Sequence, residues 1–336
     1  MTSLPAPLLQ VLDMHTAGEP VRIFTQGYPD LTGATILDKR RQALEKYDAY
    51  RTIVMHEPRG HAGMYGVIPV RPSLPGADVA ALFCHASGYS TMCGHATIAI
   101  SRWAVESGLV PHDGKQAQFG LELPCGLVQV EATLENGQVT NTAFVSVAAF
   151  VERRDLELDL PSFGKISADI GFGGAYYAIL SAAKLGLSFD IGLPKLIAAA
   201  TEVFAAARAA FTPHHPTDPD LSFLYGVILT DDAAGDAPSA NLCLFGEAQI
   251  DRSPTGSGVT ARMALDVLSN RLELGQSRRI FGPTGDGFTG TATRRTSFHG
   301  KDAVHVRVEG RSFYSGMAQF IVEANDPLRE GFLLPL

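Results

Sequence analysis

The sequence has little that would hold a polyanion. Its 336 residues carry 27 Lys and Arg against 35 Asp and Glu, a formal charge of −8, and no basic run. Phosphate backbones are held by clustered cations, so a nucleic-acid partner is excluded. Cysteine is scarce: Cys84, Cys93, Cys125 and Cys243 form no C-x-x-C pair. That excludes a disulfide framework and a zinc ribbon, and reduced thiols in the cytoplasm are expected. No apolar run reaches the ~18 residues of a membrane span. The opening "MTSLPAPLLQVLDMHTAGEP" lacks the basic and apolar regions of a secretory signal, so none is expected. Short-period repeats and low complexity are absent too. The glycine-rich stretches "GFGGAYYA" and "GPTGDGFTG" match neither G-x-G-x-x-G nor a P-loop with its lysine, which argues against a nucleotide enzyme.

What is present is ample apolar material, 46% of the chain, and a length that favours two domains. Up to about residue 85, short apolar runs such as "RTIVM" and "YGVIPV" lie between Gly and Pro and read as strands and turns. A helix is expected from Gly94 to about Ser107, stopped by Gly108 and Pro111. Strands follow, with a hairpin at Asn136-Gly137. The Ala-rich "LPKLIAAATEVFAAARAAF" reads as a helix. Then come strands "SFLYGVILTDD" and "SANLCLFGEAQI", a second helix after a Gly-rich turn in "TGSGVTARMALDVLSNRLEL", and short strands to the end. His214 and His215, set between Pro213 and Pro216, read as a solvated loop.

The segment "STMCGHATIAI" places Cys93 where a helix begins. A helix N-terminus offers unpaired N–H groups and the positive end of the macrodipole, which attract a carboxylate and lower a thiol's pKa. Gly94 lets a ligand approach the backbone. The competing reading makes Cys93 a small buried hydrophobe. An echo favours the first: Thr255-Gly256 opens another helix 162 residues later (positions 93 and 255). A metal hydrolase using Cys93, His95, His56 and His61 fits no strong zinc spacing. A carboxylate-binding protein without catalysis is the non-enzyme alternative.

"MCGHATIAI" and "DRSPTGSGVTAR", supported by "DMHTAGEPVRI", "EPRGHAGMYG", "GFGGAYYA" and "DPLREGF", resemble the proline racemase family over nearly the whole chain. The resemblance implies an α+β, diaminopimelate-epimerase-like fold: two pseudo-symmetric domains, each a curved sheet around a central helix, with the active site in the cleft between. The expected domains are 1–148, joined by a C-terminal strand at about 317–336, and 149–316. Racemases of the family use two cysteines on opposite faces of a pyrrolidine ring, a two-base inversion that needs groups of comparable pKa. Here Cys93 fills the first position and Thr255 the second. A hydroxyl is too weak an acid to trade places with a thiolate, so the Cys/Thr pairing resembles the trans-3-hydroxy-L-proline dehydratases of the family.

Further roles follow from the same resemblance. Amides at Gly94, His95, Gly256 and Ser257 would hold the substrate carboxylate, Asp251 would meet the ring ammonium, and Tyr65 and Phe245 would be ring walls. His95 would contact the 3-hydroxyl or help set the thiolate. Cys93, with Thr255 or water as rivals, would return a proton to the leaving hydroxyl. A small amino-acid substrate, no cofactor and no metal are implied. The runner-up is a hydroxyproline epimerase or a proline racemase. The oligomeric state, a homodimer included, is left open by the sequence.

Overall fold

Two buried helices organise the molecule. In the computed structural model, which describes residues 8–231, 233–246 and 249–334, the α-helices are α1 (Ile36–Lys46), α2 (Asp48–Met55), α3 (Gly94–Glu106), α4 (Leu193–Ala210) and α5 (Gly256–Leu268). Helices α3 and α5 are each thirteen residues long. Ten residues of α3 and twelve of α5 are buried. A helix enclosed on all sides needs no polar face, which explains the mixed apolar spacing of both segments.

Each enclosed helix sits in the same strand arrangement. Val79–His85 takes the short strand Gly88–Ser90 antiparallel, α3 follows, and Gln116–Leu123 returns parallel to Val79–His85. In the second half Ser239–Phe245 takes Gln249–Asp251 antiparallel, α5 follows, and Ser277–Phe281 returns parallel. A parallel step needs a long crossover, and in both halves the helix supplies it. Antiparallel strands then wrap each helix, Gly126–Glu135 and Gln138–Val145 in one half, Gly287–Phe298 and Lys301–Gly310 in the other. Lys301–Gly310 pairs with Gln138–Val145 and with Ala149–Leu160, which joins the halves. The last strand, Ser312–Phe320, returns to pair with Leu9–Thr16.

The other helices cover outer sheet faces. Helix α4 lays Leu196, Ala199, Ala200, Val203 and Ala207 against Tyr176, Val227 and Leu242. Helices α1 and α2 cover the first half. The segment "RTIVM", expected as a strand, lies in α2. A capping box starts α1: Asp38 N–H donates to Thr35 Oγ1 at 3.1 Å and Thr35 N–H to Asp38 Oδ2 at 3.0 Å. In α2, Ile53, Val54 and Met55 bury against the sheet, so packing overrides the β-branched preference of the run. The hairpin at Asn136-Gly137 forms with φ of +51° and +77°, as a two-residue turn of this type requires. Among the described residues no helix is long and apolar enough to cross a membrane.

Candidate active site

The starts of α3 and α5 meet head to head. A Cβ placed on Gly94 would lie 2.4 Å from Gly256 Cα, and one on Gly256 would lie 2.6 Å from Gly94 Cα. Only glycine at both positions lets the two sets of free amides converge. The "GFGG" turn seals the junction. Gly173 packs against the Ser257 carbonyl, and Gly174, at φ +96°, packs against Met92 and accepts a bond from Thr91 Oγ1 at 2.8 Å.

The residues flanking the glycines differ. Cys93 is the N-cap of α3 in extended conformation, its Sγ accepting the Ala96 N–H at 3.4 Å. Thr255 precedes α5 at φ +63° and makes no side-chain cap. A β-branched residue there is strained, and a short network holds it. Thr255 Oγ1 donates to Asp251 Oδ2 at 2.7 Å, Thr255 N–H to Ser253 Oγ at 3.1 Å, and Ser253 N–H to Asp251 Oδ1 at 2.8 Å. The Thr255 proton is therefore directed at the carboxylate.

Of the expected site residues, Cys93, Gly94, His95, Asp251, Thr255 and Ser257 line one cavity, walled by Tyr65 and Phe245; Gly256 adjoins it through Gly94. The space inside is about 10 Å³, no more than one water would need. His95 Nδ1 stands 3.0 Å from Cys93 Sγ and 3.8 Å from Asp251 Oδ2. Burial pushes the Cys93 thiol well up, against a lowering contact from the Tyr65 hydroxyl. Burial pulls His95 down to about 4, against the opposing Asp251 carboxylate. Both shifts favour the uncharged forms, a thiol beside an imidazole.

Sequence reasoning did not single out Met92, Tyr177 and Tyr225, which also line the cavity. Tyr177 OH bonds Ser257 Oγ at 2.7 Å. Tyr176 and Tyr177 are strand neighbours on opposite faces, one in the α4 core and one in the central core; choosing between them needed the register. Glu19 was also passed over, within a motif that had been noted. It is buried and accepts the Arg252 N–H at 2.7 Å and Arg252 Nη1 at 3.3 Å. Burial, then the neighbouring Asp251, pushes its carboxyl well up.

His85 backs the cavity walls, its ring 5.8 Å from Tyr65 and 5.4 Å from Phe245, whereas His15, His61 and His215 lie apart from this constellation. His61 Nδ1 accepts the Gly63 N–H at 3.1 Å, bracing its loop, and His15 stacks on Phe313. His215, expected in a solvated loop, is buried, with its ring 4.9 Å from Phe172. The aromatic cluster there offers the imidazole more contact than water would. Among the described residues no group of three or more His, Cys, Asp or Glu is arranged to hold a metal ion.

The sequence profile described as "Proline racemase" matches residues 11–333. The chain belongs to the proline racemase family. Its relatives include the human protein named trans-3-hydroxy-L-proline dehydratase, 46% identical with 98% of this chain and 95% of that protein covered. A Saccoglossus kowalevskii protein named trans-L-3-hydroxyproline dehydratase is 46% identical, over 96% of this chain and all of the relative. Among solved structures, a hydroxyproline epimerase from Agrobacterium vitis with bound trans-4-hydroxy-L-proline superposes with a TM-score of 0.92. It is 26% identical, and the match covers 97% of this chain and 94% of that one. In this family member the expected architecture holds: two pseudo-symmetric halves, each a curved sheet around a helix, with the cavity between.

Proposed function

We propose that this protein dehydrates trans-3-hydroxy-L-proline to Δ1-pyrroline-2-carboxylate by way of the Δ2 enamine. The observation that carries the reading is the unequal pair at the two helix starts: a thiol on one side, and on the other a hydroxyl whose proton is committed to Asp251. The names of the relatives at 46% identity support it.

The proposed roles follow the geometry. The substrate carboxylate lies between the two sets of helix-start amides at Gly94, His95, Gly256 and Ser257, where the charge that develops on removing the Cα proton is also stabilised. The ring ammonium faces Asp251, and Tyr65 and Phe245 flank the ring. Cys93 must lose its own proton before it acts as a base, and His95 Nδ1, 3.0 Å away, is placed to take it. In the trans isomer the 3-hydroxyl and the Cα hydrogen share one ring face, so elimination on the Cys93 side is syn. Nothing need be returned to Cα from the Thr255 side. The cavity is too small for the substrate as it stands, so the halves part for entry and close over the ligand. We place the domain boundary at 148/149 and the protein in the cytoplasm, a setting that its four free cysteines suit.

The test is a product assay. Trans-3-hydroxy-L-proline should yield a pyrroline that borohydride traps as proline, while trans-4-hydroxy-L-proline should keep its configuration. Epimerisation of the 4-hydroxy isomer without any pyrroline from the 3-hydroxy isomer would replace this reading with the epimerase one.

A further inference from the structure

We propose that the Tyr65 hydroxyl is the proton donor to the departing 3-hydroxyl group. The inference rests on the dehydratase reading and assigns the acid that such a reaction needs.

A ring wall requires only an aromatic face, and phenylalanine would supply it. Tyr65 instead brings a fully buried phenol into the cavity, where a polar hydrogen must find a partner. Its hydroxyl bonds Ser90 Oγ. It also faces the Cys93 thiol and the Tyr225 hydroxyl. The ring stands edge-on to His95, with centroids 4.7 Å apart, and to Phe245 at 6.2 Å. The hydroxyl is thus on the Cys93 side of the cavity, the side from which a syn elimination expels its leaving group. Thr255 is on the far side with its proton directed at Asp251. His95 turns Nδ1 to the sulfur and also hydrogen-bonds the Pro20 backbone.

The proton inventory closes. The Cα proton passes to the Cys93 thiolate, and its bonding pair becomes the C2–C3 double bond. The C3–O bond breaks with its pair on oxygen, and that oxygen takes the Tyr65 proton to become water. The proton now on Cys93 Sγ moves to the tyrosyl oxygen, which restores phenol and thiolate. Ser90 and Tyr225 keep the phenol oriented while it gives one proton and receives another.

The experiment is Tyr65→Phe in the full chain, assayed on trans-3-hydroxy-L-proline and on trans-3-chloro-L-proline, whose chloride departs without a proton. A lost acid costs on the order of 100-fold or more. Turnover of the hydroxy substrate should fall by about that factor with KM changed less than about threefold, and chloride elimination should stay within about threefold of the unaltered protein. Equal losses on both substrates, or no loss on either, would overturn the proposal. Should the variant fail to fold by circular dichroism, Ser90→Ala takes its place, with roughly a tenfold selective loss expected and the same criterion. Failure of the dehydratase reading is distinct, because the unaltered protein would then form no pyrroline.

Discussion

The two helix starts share a backbone plan and differ in chemistry. Cys93-Gly94-His95 opens α3, and Thr255-Gly256-Ser257 opens α5. One step earlier the short strands place Ser90 opposite Phe83 and Asp251 opposite Cys243, the same position in each half. Ser90 orients the Tyr65 phenol, whereas Asp251 receives the Thr255 hydroxyl. The first half sets a thiol among Tyr65, Ser90 and His95, and the second supplies a fixed carboxylate together with Tyr177 and Tyr225; both contribute helix-start amides. The matching glycines bring the halves together, and under the proposed mechanism the unequal side chains would leave only one face of a bound ring in contact with a thiol base.

Removing the thiol should break this comparison most severely. Cys93→Ser should lower dehydration by about 10³-fold or more, because a serine hydroxyl is a far weaker base precursor than a thiol. Binding of the planar analogue pyrrole-2-carboxylate, followed by calorimetry, should persist. Unchanged turnover would refute the assignment of the base, and binding with no turnover by any form of the protein would favour a carboxylate-binding protein.

The glycines test whether the halves are equal where they touch. Gly94→Ala and Gly256→Ala each force a Cβ to within 2.4–2.6 Å of the opposite Cα, so the helix starts must separate. Either change should cost roughly 100-fold in kcat/KM, a misplacement effect. If only one does, the carboxylate is held by one half alone. A gentler probe is Thr255→Cys, which puts a thiol on both faces. It should bring slow Cα deuterium incorporation with inversion on L-proline, seen by NMR and chiral chromatography. Its absence would mean that the Asp251 side is shaped against a second base.

The parts legible in the sequence were those with local signals. The stop residues after α3 carried its end and Asn136-Gly137 its hairpin, while α5 began at its Gly-rich turn as expected but ends at Leu268, short of the run to Leu274. Helix α2 was misread because Thr52, Ile53 and Val54 favour a strand, and only packing of that run against the first sheet decides otherwise. The site divided in the same way. Cys93 and Thr255 stood out because each precedes a glycine at a helix start, and Asp251 came from the family resemblance. Tyr225 is brought in by its strand's parallel pairing with Tyr176–Ser181, which joins residues far apart in the chain. The partner role of Ser90 needed the register opposite Phe83.

The smallest expected effect concerns pH. His95 has no titrating counterpart, since Ser257 occupies its place in the other half. Its imidazole is held neutral by burial, with the folded value near 4 against about 6.5 when unfolded. Between these values the unfolded chain binds the extra proton, so the stability due to His95 is complete above pH 6.5 and is lost as pH falls toward 4. By linkage roughly 2 kcal/mol of it should disappear between pH 7 and pH 5. Glu19, whose carboxyl is pushed up, acts in the opposite sense and offsets part of the loss. Buried His85, near 3, and His215, near 4, add to it. Denaturant unfolding at the two pH values should therefore show a smaller drop for His95→Gln than for the unaltered protein. An equal drop would mean that His95 is already protonated in the folded state, and the neutral thiol–imidazole pair beside Cys93 would have to be redrawn as an ion pair.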